Sequence, residues 1–85
     1  MDIKFRTKAI EQYNNWALAD KKKFRKIIKL IYEIKRTPYT GTGNPEALKH
    51  QLSGCWSRRI DKANRLVYQI AENEIIILSG EGHYE

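Results

Sequence analysis

Four residues in the second half of the chain have side chains that together can cleave RNA: Glu46, Arg65, His83 and Tyr84. Cleavage through the 2′-hydroxyl needs a base for its proton and an acid for the leaving 5′-oxygen. Glu46 is the candidate base, and His83, the residue type that titrates nearest neutral pH, is the candidate acid. Arg65 would stabilise the charge that builds on the phosphate, and Tyr84 would donate a hydrogen bond or stack on a base.

Three nearby residues are candidates for binding the RNA phosphate: Lys49, His50 and Arg59. Strand alternation places Arg59 and Arg65 on one face of a sheet, opposite the apolar side chains, where two planar guanidiniums suit a phosphate. His50 is also a second candidate acid or base. If Glu46 to His50 forms one helical turn, the side chains of Glu46, Lys49 and His50 share a face.

Each of these residues also has a purely structural interpretation. Glu46 could be a surface acid that offsets Lys49. His83-Tyr84 could belong to a C-terminal tail. Arg58 and Arg59 could be an edge pair that blocks strand aggregation. Trp56 and Tyr68 are expected in the core.

The sequence gives no sign of a metal or a cofactor. Its two histidines and single cysteine do not show metal-ligand spacing. Ser53 and Ser57 lack the histidine and acid that would activate a serine nucleophile. We therefore expect the reaction to depend on the protein's own acids, bases and cations.

The charge balance favours a polyanionic partner. Sixteen Lys and Arg against ten Asp and Glu give a formal net charge of +6 over 85 residues. Half of the positive charge lies in or just after the second predicted helix, although cations in a helix's first turn oppose its macrodipole. Contact with a phosphate backbone explains this placement, and a solvated surface is the alternative. The candidate RNA-binding residues are Lys21, Lys22, Lys23 and Lys26.

The order of elements predicts an α+β fold in one domain spanning residues 1–85. Two N-terminal helices should pack on one face of a small antiparallel sheet. Thr7 and Asp20 are the expected N-caps of the helices, and Pro38 should halt the second. The predicted strands are 3–5, 55–60, 65–71 and 74–79. A single cysteine, no apolar leader and no apolar run of membrane-spanning length suggest a cytoplasmic protein without a membrane partner.

A long series of residues resembles the YoeB toxins of the RelE-like toxin–antitoxin superfamily. The likeness covers essentially the whole chain and is densest from Arg36 to Tyr68. The matching residues are Thr37-Pro38-Tyr39, Gly41, Gly43, Pro45-Glu46, Leu48-Lys49-His50, Leu52-Ser53-Gly54, Trp56-Ser57-Arg58-Arg59-Ile60, Arg65-Leu66-Val67-Tyr68 and His83-Tyr84.

This resemblance implies a RelE-like fold related to microbial RNases, with a helix pair against a curved antiparallel sheet. It also implies an endoribonuclease that enters the ribosomal A site, cuts the mRNA codon there and halts translation. Glu46 would be the general base and His83 the general acid, with Arg65 and Tyr84 completing the catalytic set. Lys49 and Arg59 match positions that contact the RNA phosphate.

The implied partners are the ribosome with its mRNA, a YefM-like antitoxin with an acidic tail, and a second copy of the toxin. The sequence departs from the family at two positions. Cys55 replaces a frequent bulky aromatic residue and either enlarges a pocket or exposes a thiol. Glu85 adds a carboxylate after His83-Tyr84.

Two other functions remain open. One is a basic RNA- or DNA-binding module that does not cleave, and the other is an inactive toxin-like co-repressor bound to its antitoxin.

Overall fold

The computed structural model describes residues 1–82, and within them two helices pack on a five-stranded sheet. The elements are β1 (Asp2–Phe5), α1 (Thr7–Ala19), α2 (Lys21–Arg36), β2 (Glu46–Ala47), a 3-10 helix (His50–Leu52), β3 (Trp56–Arg59), β4 (Arg65–Ala71) and β5 (Glu74–Ser79). The strand order is β1-β5-β4-β3-β2. The β1–β5 pair is parallel and the other three pairs are antiparallel. The predicted α+β fold with two helices on a small sheet is confirmed. The expectation of a wholly antiparallel sheet is wrong, because β1 pairs parallel to β5, and the short strand β2 is an addition.

The main core lies between α2 and one face of the sheet. Apolar residues of α2 recur at helical spacing, which places Ile27, Leu30, Ile31 and Ile34 on one buried stripe. They belong to one cluster with sheet residues that include Tyr68, which is fully buried as expected. Burying each such aliphatic side chain contributes about 1.5–3 kcal/mol, so this stripe fixes α2 against the sheet.

The two helix starts differ in their caps. Asp20 caps α2 as predicted, since its carboxylate accepts a hydrogen bond from the Lys23 backbone N–H at 3.2 Å. The prediction that Thr7 caps α1 is wrong, because Thr7 is the first helical residue and Arg6 holds the cap position without a side-chain hydrogen bond. The backbone N–H of Arg6 donates to Ile77 in β5, which keeps Arg6 extended with β1.

A smaller apolar cluster covers part of the opposite sheet face. Leu48, Cys55 and Val67 are buried there, with Leu52 and Leu78 packed against them. Cys55 is only 8% exposed, so the expectation of an exposed thiol is wrong. Burial also raises the pKa of this thiol. The segment around the 3-10 helix is therefore anchored on the sheet.

Neither described helix has the length and apolar character needed to cross a membrane.

Candidate active site

The predicted pairing of two arginines on one sheet face follows from the strand register. Arg59 of β3 lies directly opposite Arg65 of β4, and directly paired side chains leave the sheet on the same side. This is the side away from the helices, because the adjacent Arg58 is buried against Glu33 of α2. Two cations directly opposite each other cost about 0.2–1 kcal/mol. A phosphate bound between them would offset this repulsion.

Glu46 reaches the same face from the neighbouring edge strand. It pairs with Ser57, which in turn pairs with Val67, so these three side chains form one row across β2, β3 and β4. Arg59 and Arg65 form the adjacent row, two residues further along the strands. Strand spacing and residue rise put the Glu46 and Arg65 backbones about 12 Å apart. Glu46 is exposed and Arg65 is half-buried, and their long side chains shorten the gap that a phosphodiester would have to span.

The expectation that Glu46 to His50 forms a single helical turn is wrong. Glu46 and Ala47 are extended in β2, and the 3-10 helix begins only at His50. Leu48 turns inward to the small apolar cluster, and the Leu48 N–H donates to the Cys55 carbonyl, which continues the strand pairing. Lys49 and His50 are exposed, and His50 has a positive φ of 59°. Glu46 therefore lies on a short strand, and Lys49 and His50 lie at the start of the 3-10 helix that follows it.

Arg65 is held from two sides. Its Nη1 donates to the carbonyls of Asp61 and Asn64 at 2.8 and 3.2 Å. Its backbone N–H donates to the carbonyl of Gly82 at 2.9 Å, and the Gly82 N–H donates to Asn64 Oδ1 at 3.0 Å. The described chain therefore ends beside Arg65.

The candidate acid His83 and the candidate Tyr84 lie outside the described residues, as does Glu85.

The turn before Arg65 is organised by Asp61. Its Oδ1 accepts the backbone N–H groups of Ala63 and Asn64, both at 2.8 Å, and its Oδ2 pairs with Lys23 at 2.6 Å. The Lys23 ion pair, followed by these N–H donors, holds the pKa of the Asp61 carboxyl well below its usual range. The β3–β4 turn is thus tied to the start of α2.

Arg58, next to Arg59, is fully buried and binds the loop after α2. Its guanidinium donates to the carbonyls of Thr37 at 2.5 Å, Thr40 at 2.9 Å and Thr42 at 3.3 Å. It also donates to the Tyr68 hydroxyl and pairs with Glu33. The interpretation of Arg58 and Arg59 as an exposed edge pair is therefore wrong, since only Arg59 faces solvent.

The loop after α2 is hydrogen-bonded to β3 three residues before Glu46. The Gly43 carbonyl accepts the Arg59 N–H at 2.6 Å. A Cβ at Gly43 would lie 3.2 Å from both the Arg58 Cβ and the Arg59 carbonyl oxygen, and φ is +85° there, so the close approach favours glycine. Three residues later Glu46 enters β2. The backbone hydrogen bond between Arg59 and Gly43 therefore holds the part of the loop that leads to the candidate base.

The cations of α2 divide into two groups. Lys21, Lys22 and Lys26 are exposed. Lys23, by contrast, pairs with Asp61 and lies 5.1 Å from the centre of the Trp16 ring. Lys22 and Lys26 border a groove of about 530 Å³, which is also lined by Arg25, Lys29, Leu30, Glu33 and Thr42. The groove lies in the helical layer, separate from the sheet face that carries Glu46.

Sequence reasoning missed several residues that hold the site together. Asp61 and Asn64 could have been found, because aspartate followed by asparagine in a short turn is typical of side chains that bind local N–H groups. Gln12 of α1 binds Gly80, and no local pattern signals a contact 68 positions away. Within residues 1–82, no three His, Cys, Asp or Glu side chains cluster in a way that could hold a metal ion.

Residues 5–84 match the family described as the YoeB-like toxin of bacterial type II toxin–antitoxin systems. The chain belongs to this family. "Toxin YoeB" of Streptomyces coelicolor is 44% identical over 84 residues, covering 99% of this chain and all of the relative. The predicted YoeB resemblance is confirmed, and the protein is a toxin of the type II toxin–antitoxin class.

Solved YoeB structures have the same fold. A YoeB dimer from Staphylococcus aureus is 41% identical, with a TM-score of 0.93 over 99% of this chain and 98% of that one. A heterotetrameric YoeB–YefM toxin–antitoxin complex from the same species is also 41% identical, with a TM-score of 0.91 and the same coverage. The RelBE2 toxin–antitoxin complex of Mycobacterium tuberculosis, at 19% identity and a TM-score of 0.73 over 96% of each chain, shares the fold alone.

Proposed function

We propose that this YoeB-family toxin is a ribosome-dependent endoribonuclease that cleaves mRNA in the A site and so inhibits translation. The observation that carries the proposal is the common sheet face of Glu46, Arg59 and Arg65. A carboxylate and two guanidiniums on one rigid surface provide a base and a phosphate site together. A binding module that does not cleave would need the cations but not the carboxylate. We take residues 1–85 as one domain.

In this reaction Glu46 removes the proton from the 2′-hydroxyl, whose oxygen attacks the adjacent phosphorus. Arg65 stabilises the charge on the phosphate oxygens, and the strand and turn contacts of Arg65 hold it in place beforehand. Arg59 and Lys49 bind the phosphate from the solvent side, and His50 assists them at the 3-10 helix. The bond to the 5′-oxygen breaks, which leaves a cyclic phosphate on the upstream fragment.

His83 protonates the leaving 5′-oxygen, and Tyr84 orients the substrate by a hydrogen bond or by stacking on a base. The anchoring of Gly82 beside Arg65 supports these assignments, because His83 is the next residue in the chain. The proposed base, Glu46, lies near the start of the second half of the sequence, and the proposed acid, His83, lies near its end. The chemistry requires only groups that the chain itself supplies.

Docking on the ribosome is assigned to the exposed lysines in the first two turns of α2. Lys21, Lys22 and Lys26 contact rRNA phosphates, and the groove beside them offers a surface separate from the catalytic face. Lys23 contributes its charge, while its ion pair with Asp61 keeps it at the turn before Arg65. Phosphate contacts of this kind make binding strongly dependent on salt.

The proposed regulatory partner is a YefM-like antitoxin with an acidic segment. The net charge of +6 and the YoeB–YefM complex of S. aureus support this partner. The YoeB dimer of the same species supports a homodimer. Since the substrate is translating mRNA, the toxin acts in the cytoplasm.

Primer extension on mRNA in a cell-free translation reaction tests the proposed function. The wild-type toxin should produce cuts inside the A-site codon, and Arg65→Ala and His83→Ala should abolish them. Arg36→Ala, an exposed arginine at the end of α2, is the control for loss of one positive charge. Cuts at wild-type rates in both Arg65→Ala and His83→Ala, or ribosome binding by the wild type without cuts, would refute the proposal.

A further inference from the structure

Two side chains of α1 hold the chain just after β5. The Gly80 N–H donates to Gln12 Oε1, and the Gly80 carbonyl accepts from Trp16 Nε1, both at 2.8 Å. Gln12 and Trp16 are four residues apart, so they lie on the same face of α1. Both backbone polar groups of a buried glycine are therefore satisfied by side chains.

The next anchor is at Gly82, whose N–H and carbonyl are bound by Asn64 and Arg65. Residues 80–82 are therefore bound at one end by side chains of α1 and at the other by residues at the start of β4. Gly82 has a φ of +88°, which glycine adopts at little cost.

The two anchors are also connected to each other. Lys23 lies over the Trp16 ring and pairs with Asp61, and Asp61 binds the Asn64 side chain at 3.1 Å. A continuous series of contacts thus runs from α1 through the β3–β4 turn to Gly82. A displacement of the Trp16 side chain would therefore be transmitted to Gly82, which lies beside Arg65.

We propose that Gln12 and Trp16 are positioning residues for RNA cleavage. By fixing Gly80 they set the position and direction of the chain at Gly82, the residue that precedes the proposed acid His83. This inference rests on the proposed function of His83 as the acid. Gln12 and Trp16 themselves touch neither the RNA nor the reacting atoms.

A purely structural role for the two residues makes a different prediction. α1 has packing of its own, through buried Ala9 and through Tyr13, whose ring lies 5.0 Å from Phe5 and 4.8 Å from Phe24. Loss of the Gly80 contacts should leave these in place. The rate of the folded toxin, measured apart from its stability, therefore distinguishes the two roles.

The test compares Gln12→Leu, Gln12→Glu and Trp16→Phe in single-turnover cleavage on programmed ribosomes, well below each variant's melting temperature. Leu removes the acceptor, Glu retains one, and Phe removes the indole donor but keeps a ring beneath Lys23. We expect Gln12→Leu and Trp16→Phe to lower the maximum rate constant by about 10- to 100-fold, the usual cost of misplacing a reacting group. The ribosome concentration for half-maximal rate should stay within about twofold.

Two controls complete the design. Gln12→Glu should restore most of the rate that Gln12→Leu loses. Ala9→Gly, a buried helix-weakening change on the same α1, should lower the melting temperature without changing the maximum rate constant.

Wild-type maximum rates in Gln12→Leu and Trp16→Phe would overturn the inference, as would a Gln12→Glu variant as slow as Gln12→Leu. If Gln12→Leu does not fold, Trp16→Phe decides alone. An inactive His83→Ala together with fully active Gln12→Leu and Trp16→Phe would overturn only this inference. A His83→Ala toxin that cleaves at the wild-type rate would overturn the proposed function and this inference with it.

Discussion

Adjacent Arg58 and Arg59 should separate stability from cleavage when each is replaced by methionine. Methionine keeps an unbranched apolar stem and removes the guanidinium. In Arg58→Met the carbonyls of the 37–42 loop and the Glu33 carboxylate lose their buried cation. In Arg59→Met only an exposed guanidinium is lost, and the backbone hydrogen bond to Gly43 remains.

The structure sets the expected magnitudes. Removing one partner of a buried ion pair costs about 3–5 kcal/mol. The lower end applies to Arg58→Met, because the Glu33 side chain keeps 21% of its exposure and can rehydrate. An 85-residue domain has about 4–13 kcal/mol of total stability, so Arg58→Met should lose a large share of it. Arg59→Met should change stability by less than about 0.5 kcal/mol, with relief of its repulsion with Arg65 as a small gain.

Urea unfolding followed by the fluorescence of Trp16 and Trp56 gives both free energies of unfolding by linear extrapolation. Cleavage on programmed ribosomes, measured where both variants are folded, should show the reverse order. Arg59→Met should lower the rate about 100-fold through loss of a phosphate-stabilising donor. Equal destabilisation by the two substitutions, or a larger loss from Arg59→Met, would refute the assigned roles.

Two further predictions concern charge. The double substitution Lys22→Glu/Lys26→Glu should weaken ribosome association and reduce its salt dependence, while the cleavage rate of bound toxin stays unchanged. Filter binding across a salt series measures the association, with Lys8→Glu/Lys35→Glu as the charge-matched control. Equal ribosome binding by the two double variants would contradict the prediction. Asp61 should contribute to acid unfolding: its folded-state pKa is lowered, so its stabilisation is present at neutral pH and is lost as the pH falls below about 4. Urea unfolding from pH 3 to 7 should show a flatter acid limb for Asp61→Asn than for the wild type, and identical limbs would contradict the assignment.

Much of the fold could be predicted because its signals are local. The apolar stripe of α2, its Asp20 cap and the alternation in β3 and β4 depend only on near neighbours, and the shared face of Arg59 and Arg65 followed from that alternation. β2 has only two residues and so offers no periodicity. Glu46 was predicted to lie in a helical turn, but it lies in a strand because β2 pairs with β3.

The interactions that fix the site were not predictable for a different reason. Alternation placed Arg58 on the core face, but nothing local indicates that its partners are the Thr37, Thr40 and Thr42 carbonyls. The contact between Gln12 and Gly80 likewise joins distant parts of the chain. Such contacts depend on the assembled sheet and helix layer, and so only the three-dimensional structure shows them.

The most direct test of the central claim is the single-turnover rate constant for A-site cleavage by Glu46→Gln. Because the amide of this variant cannot accept the 2′-hydroxyl proton, the rate should fall by at least about 100-fold, the lower bound for losing a general base, while ribosome binding stays unchanged. Wild-type toxin should leave mRNA with a 2′-deoxy nucleotide at the cleavage position uncut, because that substrate lacks the attacking oxygen. A wild-type rate in either case would contradict 2′-hydroxyl attack assisted by Glu46.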